Sequence, residues 1–139
     1  MQLRERLLSA HRDIEAELSA VLAVADTADR ARRWTAFRDT LLAHLALEEA
    51  HLFPALQRSS ERDARVLAHE HRHLRTRLAE LGTARELGDA RSFAAELHAH
   101  ATSEDRLLYQ WAEDASGDDE RADLLSALAA EAPGAPDAE

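Results

Sequence analysis

The sequence predicts an all-α protein, an up-down-up-down four-helix bundle with a short extra C-terminal helix. Apolar residues recur at spacings of three and four, which is typical of one face of an amphipathic helix. Only 4 of the 139 residues are Gly and 3 are Pro, and Pro133 and Pro136 lie near the C terminus. Helix breakers are therefore rare before that point. The length suits one domain with its own core.

The first helix is predicted from a stripe that is apolar except for one histidine: Leu3, Leu7, His11, Ile14, Leu18, Val21 and Ala25. The segment from Asp26 to Asp29 supplies a stop and a new N-cap. The second helix has a similar stripe with two polar members: Trp34, Phe37, Leu41, His44, Glu48, Leu52 and Leu56. Pro54 lies near its end.

Ser59 and Ser60 predict a capped start for the third helix. Its stripe again contains one histidine: Leu67, His71, Leu74, Leu78 and Leu81. Gly82 or Gly88 ends it, Asp89 caps the fourth helix, and Gly117 closes that one. The fourth stripe has two polar members: Phe93, Leu97, His100, Glu104, Leu107, Leu108 and Trp111. A shorter amphipathic piece with Leu124, Leu125 and Leu128 follows. We expect one domain over residues 1–131 and a mobile acidic tail over 132–139.

Composition excludes several classes of function. The formal charge of −10 would repel the phosphate backbone, so we expect no nucleic-acid partner. The absence of Cys excludes disulfides, thiolate metal sites and cysteine nucleophiles. The N terminus has no apolar run of signal-peptide length, and none of the apolar runs could cross a bilayer, so we expect a cytoplasmic protein with no membrane partner.

Each long helix carries a polar residue on its core-facing stripe, and burying such groups without partners costs roughly 1–3 kcal/mol each. Residues i and i+4 lie on one face, so two His-x-x-x-Glu pairs each aim two metal-ligand groups in the same direction. The candidate metal ligands are His11, His44, Glu48, His71, His100 and Glu104. A lone histidine on such a stripe is usually a satisfied core residue, but six ligand-type residues, four His and two Glu, at matching offsets favour a metal site.

The two halves of the chain repeat one another. The stripe from Phe37 to Leu52 has the same offsets as the stripe from Phe93 to Leu108, and Leu7 to Val21 matches Leu67 to Leu81. Each half therefore supplies one lone histidine and one His-x-x-x-Glu pair. A pseudo-twofold arrangement of these ligands favours two metals over one.

These residues resemble the hemerythrin-like (HHE cation-binding) family, whose members carry His, His-x-x-x-Glu, His and His-x-x-x-Glu on four bundled helices. The local sequences of residues 44–56, 70–75 and 100–113 are similar to sequences of that family, and the resemblance covers residues 1 to about 115. It implies two non-haem iron ions, bridged by the two Glu and an oxo or hydroxo group. It also implies a small-molecule ligand such as dioxygen, peroxide or nitric oxide.

The sequence also permits the five-histidine pattern of oxygen-carrying hemerythrins, through His69 with His73 and His100 with Asp105. At about 100° per residue, His69 and His73 lie about 160° around the helix from His71, which is on the apolar stripe. Glu104 lies about 40° from His100 and Asp105 about 140°. The stripe therefore selects the set with four His and two Glu.

Two six-coordinate iron ions have about twelve coordination positions in total. Four histidines, two bridging glutamates and one oxo bridge fill about ten of these positions, which leaves about two open. Open positions favour reaction at the metal over reversible carriage, because a catalytic site needs an exchangeable position. We expect an iron protein that decomposes peroxide, or handles nitric oxide or dioxygen. The alternatives are a dioxygen- or iron-binding sensor without turnover and a metal-free interaction bundle. The short tail favours a protein without an output domain.

The remaining histidines and the single tyrosine are predicted to lie outside the metal site. His51 lies two turns from His44, where a water-exposed position at the rim is favoured over ligation. His69, His73 and His98 are expected to be exposed. Tyr109 lies about 180° from His100 on a regular helix, so packing at a helix edge is favoured over a role at the site.

Overall fold

The computed structural model describes residues 3–82, 87–115 and 117–131. Helices account for nearly all of this part of the chain, which confirms the all-α class and the extra C-terminal helix. The α-helices are α1 (Leu3–Ala23), α2 (Thr27–His51), α3 (Phe53–Ser59), α4 (Glu61–Leu81), α5 (Leu87–Glu104), α6 (Gln110–Ala115) and α7 (Asp118–Glu131), and a π-helix, π1 (Asp105–Tyr109), joins α5 to α6. The acidic tail over residues 132–139 lies outside the described residues, and the up-and-down order stays a prediction.

The helix ends follow local chemistry. The side chain of Asp26 accepts a hydrogen bond from the Asp29 N–H (2.8 Å) and caps α2. Ser60 does the same for α4 through the Asp63 N–H (3.3 Å). Gly82 ends α4 at a φ of +57°, a conformation that favours glycine. The prediction that Asp89 caps the fourth helix is wrong, because α5 begins at Leu87 and Asp89 lies in its first turn.

Both helices that carry a predicted His-x-x-x-Glu pair lose regular geometry just past the glutamate. The predicted second helix is two helices, with Leu52 between α2 and α3 and Pro54 in the first turn of α3. Proline has no N–H to continue the ladder. The predicted fourth helix changes to π1 directly after Glu104, where the Gln110 N–H bonds to the Asp105 carbonyl. A π-helix contains one more residue per hydrogen-bonded turn than an α-helix.

The four long helices pack around two apolar clusters. Helix α1 contacts α2 and α5, α4 also contacts α2 and α5, and α7 packs on α1 and α2. On α1, Leu7 belongs to one cluster and Ile14 to the other, and His11 lies between them. On α4, His71 lies in the same way between Leu67 and Leu74. The polar layer is therefore enclosed by apolar side chains at both ends. In the described part of the chain, no helix is both long and apolar enough to cross a membrane.

Candidate metal centre

The structure brings the six predicted ligand residues together in the polar layer between the two clusters. All six are buried, with Glu48 and Glu104 at 0% exposure and His11 and His44 the most open at 7% and 8%. The His-x-x-x-Glu spacing brings the two side chains of each pair together on one helix. His44 Nε2 lies 3.1 Å from Glu48 Oε2, and His100 Nε2 lies 3.1 Å from Glu104 Oε2.

The six residues form two groups that share both glutamates. One group is His11, His44, Glu48 and Glu104, and the other is Glu48, His71, His100 and Glu104. Within each group, one ligand atom per residue lies within 4.8 Å of all the others. The imidazole rings of His11 and His44 are 4.8 Å apart between centroids, and those of His71 and His100 are 4.9 Å apart. The internal repeat of the sequence is therefore present as two similar four-residue groups.

Charge in the centre is balanced between the carboxylates and the imidazoles. Burial alone would raise the pKa of both glutamates. The charge of His44 and close contacts with neighbouring histidines nevertheless hold the pKa of Glu48 well below its ordinary value, and close contacts with histidines lower the pKa of Glu104 to about 2. Burial opposes a charge on His11 and His71, but close contacts with the carboxylates of Glu104 and Glu48 raise the pKa of each to about 10. The two carboxylates are therefore ionised and accompanied by positive charge.

The donor set fits a pair of cations. Imidazole nitrogen and carboxylate oxygen are ligands of first-row transition metals. Protons on the imidazoles do not satisfy every buried atom, since Glu48 Oε1 and His100 Nε2 have no hydrogen-bonding partner in the described part of the chain. Each has an oppositely charged group 3.1–3.2 Å away without hydrogen-bond geometry. Buried orphan atoms are rare, and two of them among six candidate ligands indicate a site that is completed by metal.

Two further carboxylates orient the histidines of α4 and α5. His71 Nδ1 donates to Glu49 Oε2 (2.7 Å), and His100 Nδ1 donates to Glu70 Oε1 (2.7 Å). Glu49 is itself held by the Arg75 guanidinium, whose Nη2 lies 2.9 Å from Oε1. Such outer carboxylates fix the ring orientation and raise the basicity of metal-binding histidines. The sequence reasoning missed Glu49 and Glu70, although each lies next to a predicted ligand.

The alternative histidine pattern is not assembled. His69 and His73 are exposed, and His73 bonds to Glu96 (3.2 Å). The Asp105 carboxylate accepts two hydrogen bonds from the Arg4 guanidinium (2.9 Å each). His51 is exposed on α2, as expected for a residue at the rim. The structure therefore places His71 in the centre and not His69 or His73, and it places Glu104 there and not Asp105.

The prediction for Tyr109 is wrong: it is fully buried inside the centre and does not pack at a helix edge. Its hydroxyl lies against His11 Nε2 and Glu48 Oε2, 3.1 Å from Glu104 Oε1 and 3.4 Å from His44 Nε2. The cause is π1, because one extra residue in a turn rotates everything after it by about 100° relative to a regular helix. Burial and the charges of Glu104 and Glu48 raise the pKa of Tyr109 well above its ordinary value.

A narrow recess reaches the centre from the side of the second apolar cluster. It is lined by apolar side chains, among them Ile14, Leu41 and Leu97, and by His11 and His44. It has room for about one water-sized molecule. This recess therefore admits only very small molecules to the ligand atoms.

Comparison with known proteins agrees with this geometry. The family model of the hemerythrin HHE cation-binding domain matches residues 2–112, a segment that contains all six candidate ligands. Neither the curated proteins nor the solved structures gave a significant match. The chain therefore belongs to the hemerythrin HHE cation-binding domain family and is a metal-binding hemerythrin-like protein.

Proposed function

We propose that this protein holds two iron ions and reacts with small oxidants, with hydrogen peroxide as the first substrate and nitric oxide or dioxygen next. The observation that carries the proposal is the pair of buried four-residue groups that share Glu48 and Glu104. Two bound iron ions would supply binding and electron transfer to a small oxidant.

The protein side chains have distinct roles in this proposal. Glu48 and Glu104 belong to both groups, so they would bind both ions and offset part of their positive charge. The histidine pair of each group would supply neutral nitrogen donors, because metal binding releases the protons on these nitrogens to solvent. Glu49 and Glu70 hold His71 and His100 in the orientation that ligation needs.

The recess supports a small substrate. Its apolar lining excludes bulk water from the centre, and its size excludes organic substrates. Burial of the centre between two apolar clusters also strengthens the electrostatic interactions of bound groups. Peroxide, nitric oxide and dioxygen are the class of molecules that such a passage admits.

The direct test measures dioxygen release from hydrogen peroxide by the iron-loaded protein. Metal-free protein and the Glu104→Ala variant serve as comparisons, because the variant removes a residue common to both groups. We expect rapid release only from the loaded wild-type protein. Release no faster than with free ferric iron would reject the peroxide reaction. A stable, reversible dioxygen spectrum in the same sample would place the protein in the binding class.

A second test uses the passage itself. Ala101 lines the recess on α5, whereas Ala99 on the same helix is exposed and does not line it. Ala101→Leu should fill the passage and slow peroxide turnover severalfold, while metal content stays at the wild-type level. Ala99→Leu is the matched control and should leave turnover unchanged. Equal rates in the two variants would mean that substrate reaches the metals by another route.

A further inference from the structure

We propose that Tyr109 is a ligand of the metal held by His11 and His44, so that the two metal positions are chemically unequal. The inference rests on the proposed metal pair and adds a phenolate donor to one of its two groups. Four observations carry it: the position of the hydroxyl, the internal repeat, the outer carboxylates and the recess.

The phenol oxygen lies among the ligand atoms of one group and not the other. It contacts His11 and Glu48 directly, with Glu104 at 3.1 Å and His44 at 3.4 Å. These four residues are one of the two metal-binding groups. A cation placed among their ligand atoms would therefore lie next to the phenol oxygen.

The internal repeat shows which part of Tyr109 is needed for packing, because the matching position of the other half has a ring without a hydroxyl. Tyr109 lies five residues after Glu104, and Phe53 lies five residues after Glu48. The Tyr109 ring packs 5.1 Å from His11, and the Phe53 ring packs 4.7 Å from His71. Both halves thus use an aromatic ring to cover one histidine. Because phenylalanine suffices in one half, packing does not explain why the other half buries a hydroxyl beside two carboxylates.

The outer carboxylates are found beside the group that lacks the phenol. Glu49, next to Glu48, bonds to His71, whereas Asp105, next to Glu104, bonds to Arg4 and not to a histidine. Glu70 precedes His71 and bonds to His100, whereas the residue preceding His11 is Ala10. The group with carboxylate-oriented histidines has no phenol, and the group with the phenol has neither of these carboxylates. The two positions therefore differ in two independent features.

The proton balance of ligation is simple. The O–H bond of Tyr109 breaks as its oxygen binds the cation, the proton leaves to water, and no oxidation state changes. A bound cation reverses the effect of the neighbouring carboxylates on such a group. Phenolate then takes one of the two positions that the other ligands leave open, and the recess leads to the centre from the opposite apolar cluster.

The test uses the fact that Tyr109 is the single tyrosine of the chain. The protein is loaded with ferric iron, and its visible spectrum is compared with that of Tyr109→Phe at equal metal content. We expect a phenolate-to-iron charge-transfer band in the wild-type protein and none in the variant. Phe53→Leu, which alters the matching ring of the other half, should keep the band. Gallium(III) added to metal-free protein should produce the ultraviolet difference bands of tyrosinate in the wild-type protein and in Phe53→Leu but not in Tyr109→Phe.

The outcomes separate this inference from the proposed function. Two bound metals with the same visible spectrum in wild-type and Tyr109→Phe protein, and no tyrosinate bands with gallium, would overturn the ligand role and leave the metal pair intact. A wild-type protein that retains no metal would overturn both. Loss of the band together with retained metal in Tyr109→Phe would establish the phenolate.

Discussion

His71 connects more of the centre than its position on α4 suggests. Its Nε2 lies 2.8 Å from Glu104 and 3.2 Å from Glu48, and its Nδ1 lies 2.7 Å from Glu49. One ring therefore contacts both shared carboxylates and one outer carboxylate. The loss of this ring affects metal binding and the charge balance of the centre together.

We expect His71→Ala to lose metal and to lower the free energy of unfolding of the metal-free protein by about 3 kcal/mol, because buried carboxylates lose a partner and a cavity opens. The double variant His69→Ala, His73→Ala changes exposed positions and should keep its metal. Metal analysis and urea unfolding measure the two effects. If the double variant lost iron while His71→Ala kept it, the five-histidine pattern would be correct.

Glu49→Gln keeps the size of the side chain but removes the charge that orients His71. We expect metal affinity to fall about 10–100-fold, which is the usual effect of losing an outer carboxylate. Asp105→Asn changes the matching residue of the other half, which bonds to Arg4 and not to a ligand. It should leave affinity nearly unchanged. Competition with a coloured chelator gives both values, and equal losses would contradict the orienting role of Glu49.

The sequence was sufficient to predict which six side chains meet, because each lies on an apolar stripe and the stripe fixes its direction. It was not sufficient for Tyr109. A constant angle of about 100° per residue fails wherever the helix changes its hydrogen-bond pattern. Glu49 and Glu70 were missed for another reason: they flank the stripe, and only their long side chains reach the histidines.

Among the helices, the irregular turns after Glu48 and Glu104 are the features that no stripe predicts. Caps at Asp26 and Ser60 were predictable because a short polar side chain satisfies the first free N–H groups. The start of α2 and the start of α4 match those expectations. The change to π1 leaves no mark in the spacing of the apolar residues, so the stripe could not predict it.

Deletion of Arg106, an exposed residue of π1, should convert this turn to regular α-helix and be tolerated. One residue fewer compensates for the extra residue of the π turn, so Tyr109 and Ala112 keep their buried faces. Deletion of Ala99, exposed on the regular part of α5, should rotate His100 and Glu104 by about 100° relative to Phe93 and abolish metal binding. Circular dichroism melts and metal analysis compare the two. A stable, metal-binding Ala99 deletion would contradict this account.

For the protein as a whole, metal should contribute a large part of the stability. A ligand present at about a thousand times its dissociation constant stabilises the native state by about 4 kcal/mol. For a chain of this length this corresponds to about 10–20 °C in Tm. We expect a strong chelator to lower the Tm of the loaded protein by that amount and to leave the Tm of metal-free protein unchanged. Equal melting curves before and after chelation would exclude a metal-stabilised bundle.

The sharing of Glu48 and Glu104 also has a consequence for synthesis. Neither half of the chain contains a complete four-residue group, because each group takes one glutamate from the other half. A growing chain on the ribosome therefore offers no finished site until α5 has emerged and packed against α1 and α4. The Tyr109–His11 contact, between residues 98 positions apart, closes later still. An unfinished chain without Glu104 lacks both complete groups, so metal uptake is expected only once α5 is in place.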